Sequence, residues 1–255
     1  LVHSAACLAG ASVPVVIDVG AHRYSDFFPL VHADGCHPSR VVNRAVAAAC
    51  DEGGLALRGP VRLLAVEADP AACEALTQMV HRNYEIVCKA VVPAHFPRSI
   101  ELKQSEFLDG QCNSVLPFAS GDGLPPAARA CVKTSGSVRV PTIQLHELLN
   151  QFAEVALLKL DIQGLDLAVL SSTGRLLRKC NLLQVESQDV DSDSSLLLYK
   201  GAMTTEQVVR FLSVRGFQLV VCWLNSAELR EQNCLFRRIP SAEIMSIGRL
   251  MFHKV

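Results

Sequence analysis

Long hydrophobic runs are missing from this 255-residue sequence. A membrane-spanning helix needs roughly 18–20 consecutive apolar residues, and no stretch approaches that length, so a span is not expected. An excess of charge of one sign is missing too. The 24 Lys and Arg stand against 25 Asp and Glu, for a formal net charge of −1. That balance argues against a chain whose main business is holding nucleic acid or an anionic membrane surface. Two phosphate-binding loops are absent. There is no GxGxxG after a strand and no GxxxxGK[ST], which weakens nicotinamide-dependent hydride transfer and phosphoryl transfer as functions. The opening segment LVHSAACLAGASVPVV has no basic region and does not read as a signal peptide. Leu1 in place of Met leaves room for upstream residues, so the expected location is intracellular: the cytoplasm, or an organelle reached after removal of a targeting segment.

What is present is a core. Hydrophobic residues make up 50% of the chain and charged residues 19%, which excludes disorder. The length suits one domain, with a core over about 13–238. Ten cysteines occur without a CxxC pair, most of them among apolar neighbours. This usage is read as reduced core thiols, not as a disulfide framework.

Apolar runs alternate with stretches of helical period. VPVVID ends at Asp18, VRLLAVE at Glu67, VALLKLD at Asp161 and NLLQVE at Glu186. EIVCKAVV spans 85–92, FQLVVCWL spans 217–224, and QNCLFRR closes near Arg238. Short runs rich in Val, Leu and Ile suit strands buried on both faces. Between them, Val41, Val42, Ala45, Val46 and Ala49 form one helical stripe. Asp69-Pro70 reads as an N-cap followed by Pro at the first helical position, with Cys73, Leu76 and Val80 on one face. Leu165, Val169 and Thr173 mark a further helix. Thr204 with Gln207 makes a capping box ahead of Val208, Phe211 and Leu212, and Gly216 closes that helix. This alternation predicts an open α/β sheet, mostly parallel, with helices on both faces. Residues 103–137 are rich in Gly, Pro and Ser and are expected as an irregular excursion beside the active rim.

Four of the strands end in a carboxylate: Asp18, Glu67, Asp161 and Glu186. In a parallel α/β sheet the carboxyl ends share one edge, and ligands bind outside it. Four acids from distant parts of the chain are therefore expected to meet at one crevice, suited to a ligand with hydroxyls or positive charge. Gly20 permits a tight turn after the first strand, and Glu67 is placed to bond both hydroxyls of a ribose. Lys159 lies two residues before Asp161, so both side chains share a strand face. A lysine in LLKLD is expected to be buried and paired, with Asp161 or Glu186. His32, Asp34, Cys36 and His37 cluster, but at no spacing that fits a zinc site, and no metal ligand is assigned.

Taken together, VIDVGAH (16–22), AVEADP (65–70), VPTIQLHELL (140–149), LLKLDIQGLDLAVL (157–170), LLQVES (182–187) and VVRFLSVRGFQLVV (208–221) resemble the FkbM-type methyltransferases. These are a branch of the class I enzymes that use S-adenosylmethionine (SAM). The resemblance implies a Rossmann-like seven-stranded sheet with the last strand antiparallel and SAM at its carboxyl edge. By position it implies Asp18, Gly20 and Ala21 near the methionine part, Glu67 on the ribose and Lys89 near the adenine. Asp161 then faces the transferring methyl, with His22 as the other candidate base and Lys159 orienting. The implied reaction is O-methylation of a small-molecule or glycan hydroxyl. Four residues at three places depart from the family pattern: His22 and Tyr24 for Asn and Gly in the first loop, Gln163 for Glu, and Gln144 for Asp. They leave open a second reading, an inactive methyltransferase-like scaffold or subunit of a protein assembly.

Overall fold

The computed structural model describes residues 13–23, 27, 61–79, 82–119, 124, 126–190 and 197–240. The helix expected over 41–49, the cluster of His32, Asp34, Cys36 and His37, Tyr24 and Val80 lie outside these residues. In chain order the strands are β1 (Val15–Val19), β2 (Arg62–Glu67), β3 (Tyr84–Cys88), β4 (Ala90–Val92), β5 (Ser99–Ser105), β6 (Thr134–Gln144), β7 (Val155–Leu160), β8 (Cys180–Gln188), β9 (Phe217–Ser226) and β10 (Glu231–Arg238). The helices are α1 (Pro70–Thr77), α2 (Pro126–Cys131), α3 (Leu145–Leu149), α4 (Asp166–Thr173) and α5 (Thr205–Ser213).

Seven strands form one sheet in the order β3-β2-β1-β7-β8-β10-β9. β1 pairs in parallel with β2 and β7, and so do β2 with β3 and β7 with β8. β10 is antiparallel to both of its neighbours. Seven strands with one of the last pair antiparallel is the arrangement that the resemblance implies. Every residue of β1 and β7 is buried, as expected where helices and loops cover both faces of a parallel sheet. Alternation then divides the core. Ile17, Val66, Leu158 and Leu160 pack on one face, and Val16, Leu63, Leu157 and Leu235 on the other.

The caps follow the sequence. The Asp69 carboxylate accepts from Ala72 N–H at 2.9 Å with Pro70 opening α1. Thr204 and Gln207 cap α5 reciprocally. Among the described residues no helix is long and apolar enough to cross a membrane.

Three expectations change. EIVCKAVV is not one strand. β3 follows β2 to its end at Glu67, then the chain leaves the sheet at Lys89, and β4 pairs instead with β6. The stretch 103–137 is also more regular than its Gly, Pro and Ser content suggests. It holds the end of β5, a 3-10 turn (Phe107–Gly110), α2 and the start of β6, and β5 and β6 form an antiparallel pair. The reduced-thiol reading is overturned. Disulfides join Cys73 to Cys88, Cys112 to Cys131 and Cys222 to Cys234, while Cys180 stays free and buried. Apolar neighbours surround a buried thiol and a buried disulfide alike. Pairing is decided by tertiary proximity, as for Cys222 and Cys234, which face each other across β9 and β10.

Candidate active site

The carboxyl ends of β1, β2, β7 and β8 open on a crevice of about 340 Å³, within the roughly 300–1,000 Å³ common for small-molecule sites. Gly20, Ala21, His22, Glu67, Lys89, Lys159, Asp161 and Glu186 line it. Of the four strand-end acids, three line the crevice. Asp18 does not. It sits beneath the floor, fully buried, because it lies directly opposite Lys159 in the β1–β7 register. The Lys159 ammonium is 3.2 Å from Asp18 Oδ1 and 3.5 Å from Asp161 Oδ2, and it donates to the Gly20 carbonyl at 3.3 Å. Its pairing with Asp18 is the closer one, where the sequence pointed to Asp161 or Glu186. One ammonium thus ties the β1 turn to the acid at the end of β7.

The floor depends on Gly20. Its φ is +78°, and a Cβ there would lie 1.8 Å from the Asp161 carbonyl oxygen. Two residues on, His22 has φ +52°. Asn and His are among the residues that tolerate this left-handed conformation, which accounts for His in place of the family's Asn. The His22 N–H donates to Glu67 Oε2 at 2.7 Å, and the Asp69 N–H donates to Glu67 Oε1 at 2.7 Å. Burial nevertheless pushes the Glu67 carboxyl up to about 7, with these two backbone donors pulling the other way. Each of its oxygens keeps further acceptor capacity. Lys89 is exposed at the rim. The neighbouring Cys88 is stapled to α1 by the Cys73 disulfide, which fixes the rim's direction.

At the far end Gln163 organises the acids. Its amide NH₂ donates to Asp161 Oδ1 at 2.9 Å and Glu186 Oε2 at 2.8 Å, and its carbonyl oxygen accepts from the Tyr199 hydroxyl. A carboxylate could not donate to both neighbours, so Gln163 is matched to its surroundings. Asn225 donates to Glu186 Oε1 at 2.8 Å. Burial raises the Glu186 carboxyl well above the usual range, and the charges of Asp161 and Glu231 add to this. Asp166 accepts from the Ile162 and Gly164 N–H groups and shapes the loop after β7. Burial first, then Asp161, pushes its carboxyl up to about 7. Gln144 is remote from this chemistry. Its N–H donates to Glu147 at 2.9 Å and its side chain to the Ala94 carbonyl at 2.8 Å, so it caps α3.

The segment 110–115 forms a wall of the crevice. Ser114 donates to the Gln163 backbone carbonyl at 2.7 Å, and the Asn113 side-chain amide donates to Asp69 Oδ2 at 3.0 Å. The Cys112–Cys131 disulfide anchors this wall to α2. Sequence reasoning missed Asn113, Tyr199, Asn225 and Glu231. The signal for Glu231 was available in the topology: an antiparallel strand begins at the edge where its parallel neighbours end. Among the described residues no group of three His, Cys, Asp or Glu is placed to hold a metal ion.

The family model of the methyltransferase FkbM domain matches residues 18–219. No curated protein matches the sequence. Three solved structures illustrate the fold likeness. One is the 1,6-didemethyltoxoflavin-N1-methyltransferase of Burkholderia thailandensis, with bound S-adenosylhomocysteine (13% identity, 89% of this chain, 72% of that chain, TM-score 0.38). A second is the magnesium protoporphyrin IX methyltransferase of Synechocystis PCC 6803, with bound SAH (9% identity, 89% and 74%, TM-score 0.39). The third is the mitomycin 7-O-methyltransferase MmcR (14% identity, 89% and 49%, TM-score 0.38), so the chain spans about half of that protein's length. With TM-scores this low, none of the three bears on the chemistry of this chain.

Proposed function

The chain belongs to the FkbM methyltransferase family, and from that premise we propose that it is a SAM-dependent enzyme that methylates a hydroxyl of a small molecule or glycan. The observation that carries this reading is the convergence of the Gly20 turn, Glu67 and Asp161 on one crevice. Bound there, SAM would supply an activated methyl group on a sulfonium. Glu67 would accept from the ribose hydroxyls, using the capacity its two backbone donors leave. Gly20 and Ala21 would let the methionine part approach the backbone closely. Lys89 stands at the rim where the adenine would lie. Asp18 contributes indirectly, by holding Lys159.

Much of the catalysis of an in-line displacement is proximity and alignment. Lys159 and Gln163 fix the Asp161 carboxylate from two sides. Asp161 would accept the acceptor's hydroxyl proton as the oxygen–methyl bond forms and the carbon–sulfur bond breaks. His22 is the second candidate base at the same crevice.

The scaffold reading draws on Gln163, whose amide occupies an oxygen of both Asp161 and Glu186. Calorimetric titration with SAM separates the two: no binding at millimolar ligand favours the scaffold. Mass spectrometry of gently purified protein, searching for retained SAM or its demethylated product, tests the enzyme reading without added ligand. The three disulfides favour an oxidising compartment, which the organelle branch of an intracellular location allows.

A further inference from the structure

The β8 end of the crevice holds more carboxylates than the cations of the described residues match. Asp161, Glu186 and Glu231 all line it, and Asp166 is buried close behind. Lys159 is shared with Asp18 beneath the floor. Amides serve two of the acids: Gln163 bonds Asp161 and Glu186, and Asn225 bonds Glu186.

Glu231 differs from these. It is only 6% exposed and lines both the main crevice and a smaller hollow beside it. Yet no donor among the described residues reaches its carboxylate. Its backbone is placed by the β10 ladder, opposite Gln188 and Ser226, so the strand does not itself call for an acid there. A buried carboxylate without a partner is costly unless it is neutralised or paired.

Resting on the methyl-transfer reading of this crevice, we propose that the acceptor carries a protonated amine, seated on Glu231 with Glu186 and Asp161 beside it. An ammonium brings the missing charge and short charge-assisted donors. A neutral hydroxyl brings neither, so the amine selects the acceptor whichever atom receives the methyl. Burial, with the charges of Asp161 and Asp166, pushes the Glu231 carboxyl up to about 8. Near pH 7 an arriving ammonium therefore displaces a proton to the buffer.

The test is calorimetry at pH 7 on the whole chain saturated with S-adenosylhomocysteine. The probes are matched pairs: benzylamine against benzyl alcohol, and glucosamine against glucose. At least one amine is expected to bind, with its uncharged counterpart at least tenfold weaker. Its heat should change with buffer ionisation enthalpy, as proton release requires. Glu231→Gln, a near-isosteric change, should weaken that amine at least tenfold and leave S-adenosylhomocysteine binding unchanged; Glu186→Gln should do the same to a smaller extent. The proposal is overturned if no amine binds or if the counterparts bind equally. It is overturned equally if Glu231→Gln weakens S-adenosylhomocysteine as much as the amine, which would assign Glu231 to the cofactor's own ammonium, or if magnesium chloride binds and competes with the amine. Failure of S-adenosylhomocysteine to bind the unaltered chain sinks the methyl-transfer reading itself and is scored separately.

Discussion

Gln163→Glu would restore the residue the family usually carries, and it should destabilise this protein. The Gln163 amide donates to two carboxylates at 2.9 and 2.8 Å. Hydrogen bonds to charged acceptors contribute about 1.5–3 kcal/mol each, so losing both sets an upper range of about 3–6 kcal/mol. The new carboxyl can recover one of them by binding a proton, and Glu186, already raised by burial, can donate in turn. Deducting one recovered bond leaves about 1.5–3 kcal/mol near pH 7. The new group's pKa is higher folded than unfolded, so the folded state holds the extra proton. The deficit against the parent is therefore small below about pH 4.3, the unfolded glutamate value, and grows as pH rises through the folded value. Urea unfolding of both proteins at pH 5 and pH 8, followed by the fluorescence of the single Trp, measures it. Adding Glu186→Gln should recover more than half of the loss. A variant as stable as the parent at pH 8, or a deficit independent of pH, would refute the role assigned to Gln163.

Three more outcomes are expected. Gly20→Ala should collapse the turn, since its Cβ would sit 1.8 Å from the Asp161 carbonyl; a fall of several degrees or more in Tm with loss of S-adenosylhomocysteine binding checks this, and an unchanged Tm contradicts it. Glu67, Asp166 and Glu231 all titrate higher in the folded chain, so the folded state binds more protons and stability should fall from pH 5 to pH 8; Glu67→Gln should flatten that slope, and a urea midpoint that rises with pH would be wrong for this account. Peptide mapping without reduction should recover Cys112 linked to Cys131, and Cys112→Ser should cost about 3 kcal/mol while loosening the crevice wall; recovery of both as free thiols removes the basis for that anchor.

The sheet was legible because its strands are buried on both faces, which leaves runs such as VVIDV and ALLKL unbroken by solvent-facing positions. The caps at Asp69 and Thr204 were legible because capping is local chemistry. The β5–β6 pair was not, since the Gly, Pro and Ser around it mask a ladder formed between segments distant in sequence. The disulfides were hidden for the same reason: nothing local distinguishes Cys180, which stays free, from Cys234, which does not. Within the candidate site, the strand ends pointed to Glu67, Asp161 and Glu186. Asp18 was misplaced because only the β1–β7 register turns it beneath the floor. Glu231 needed the reversed direction of β10, which no period in the sequence declares.

The most direct test is a crystal structure of the chain with S-adenosylhomocysteine. The ribose hydroxyls are expected on the Glu67 carboxylate, with the sulfur facing Asp161 across the Gly20 turn. Ligand bound elsewhere, or a ribose that ignores Glu67, would contradict the assignment of this crevice.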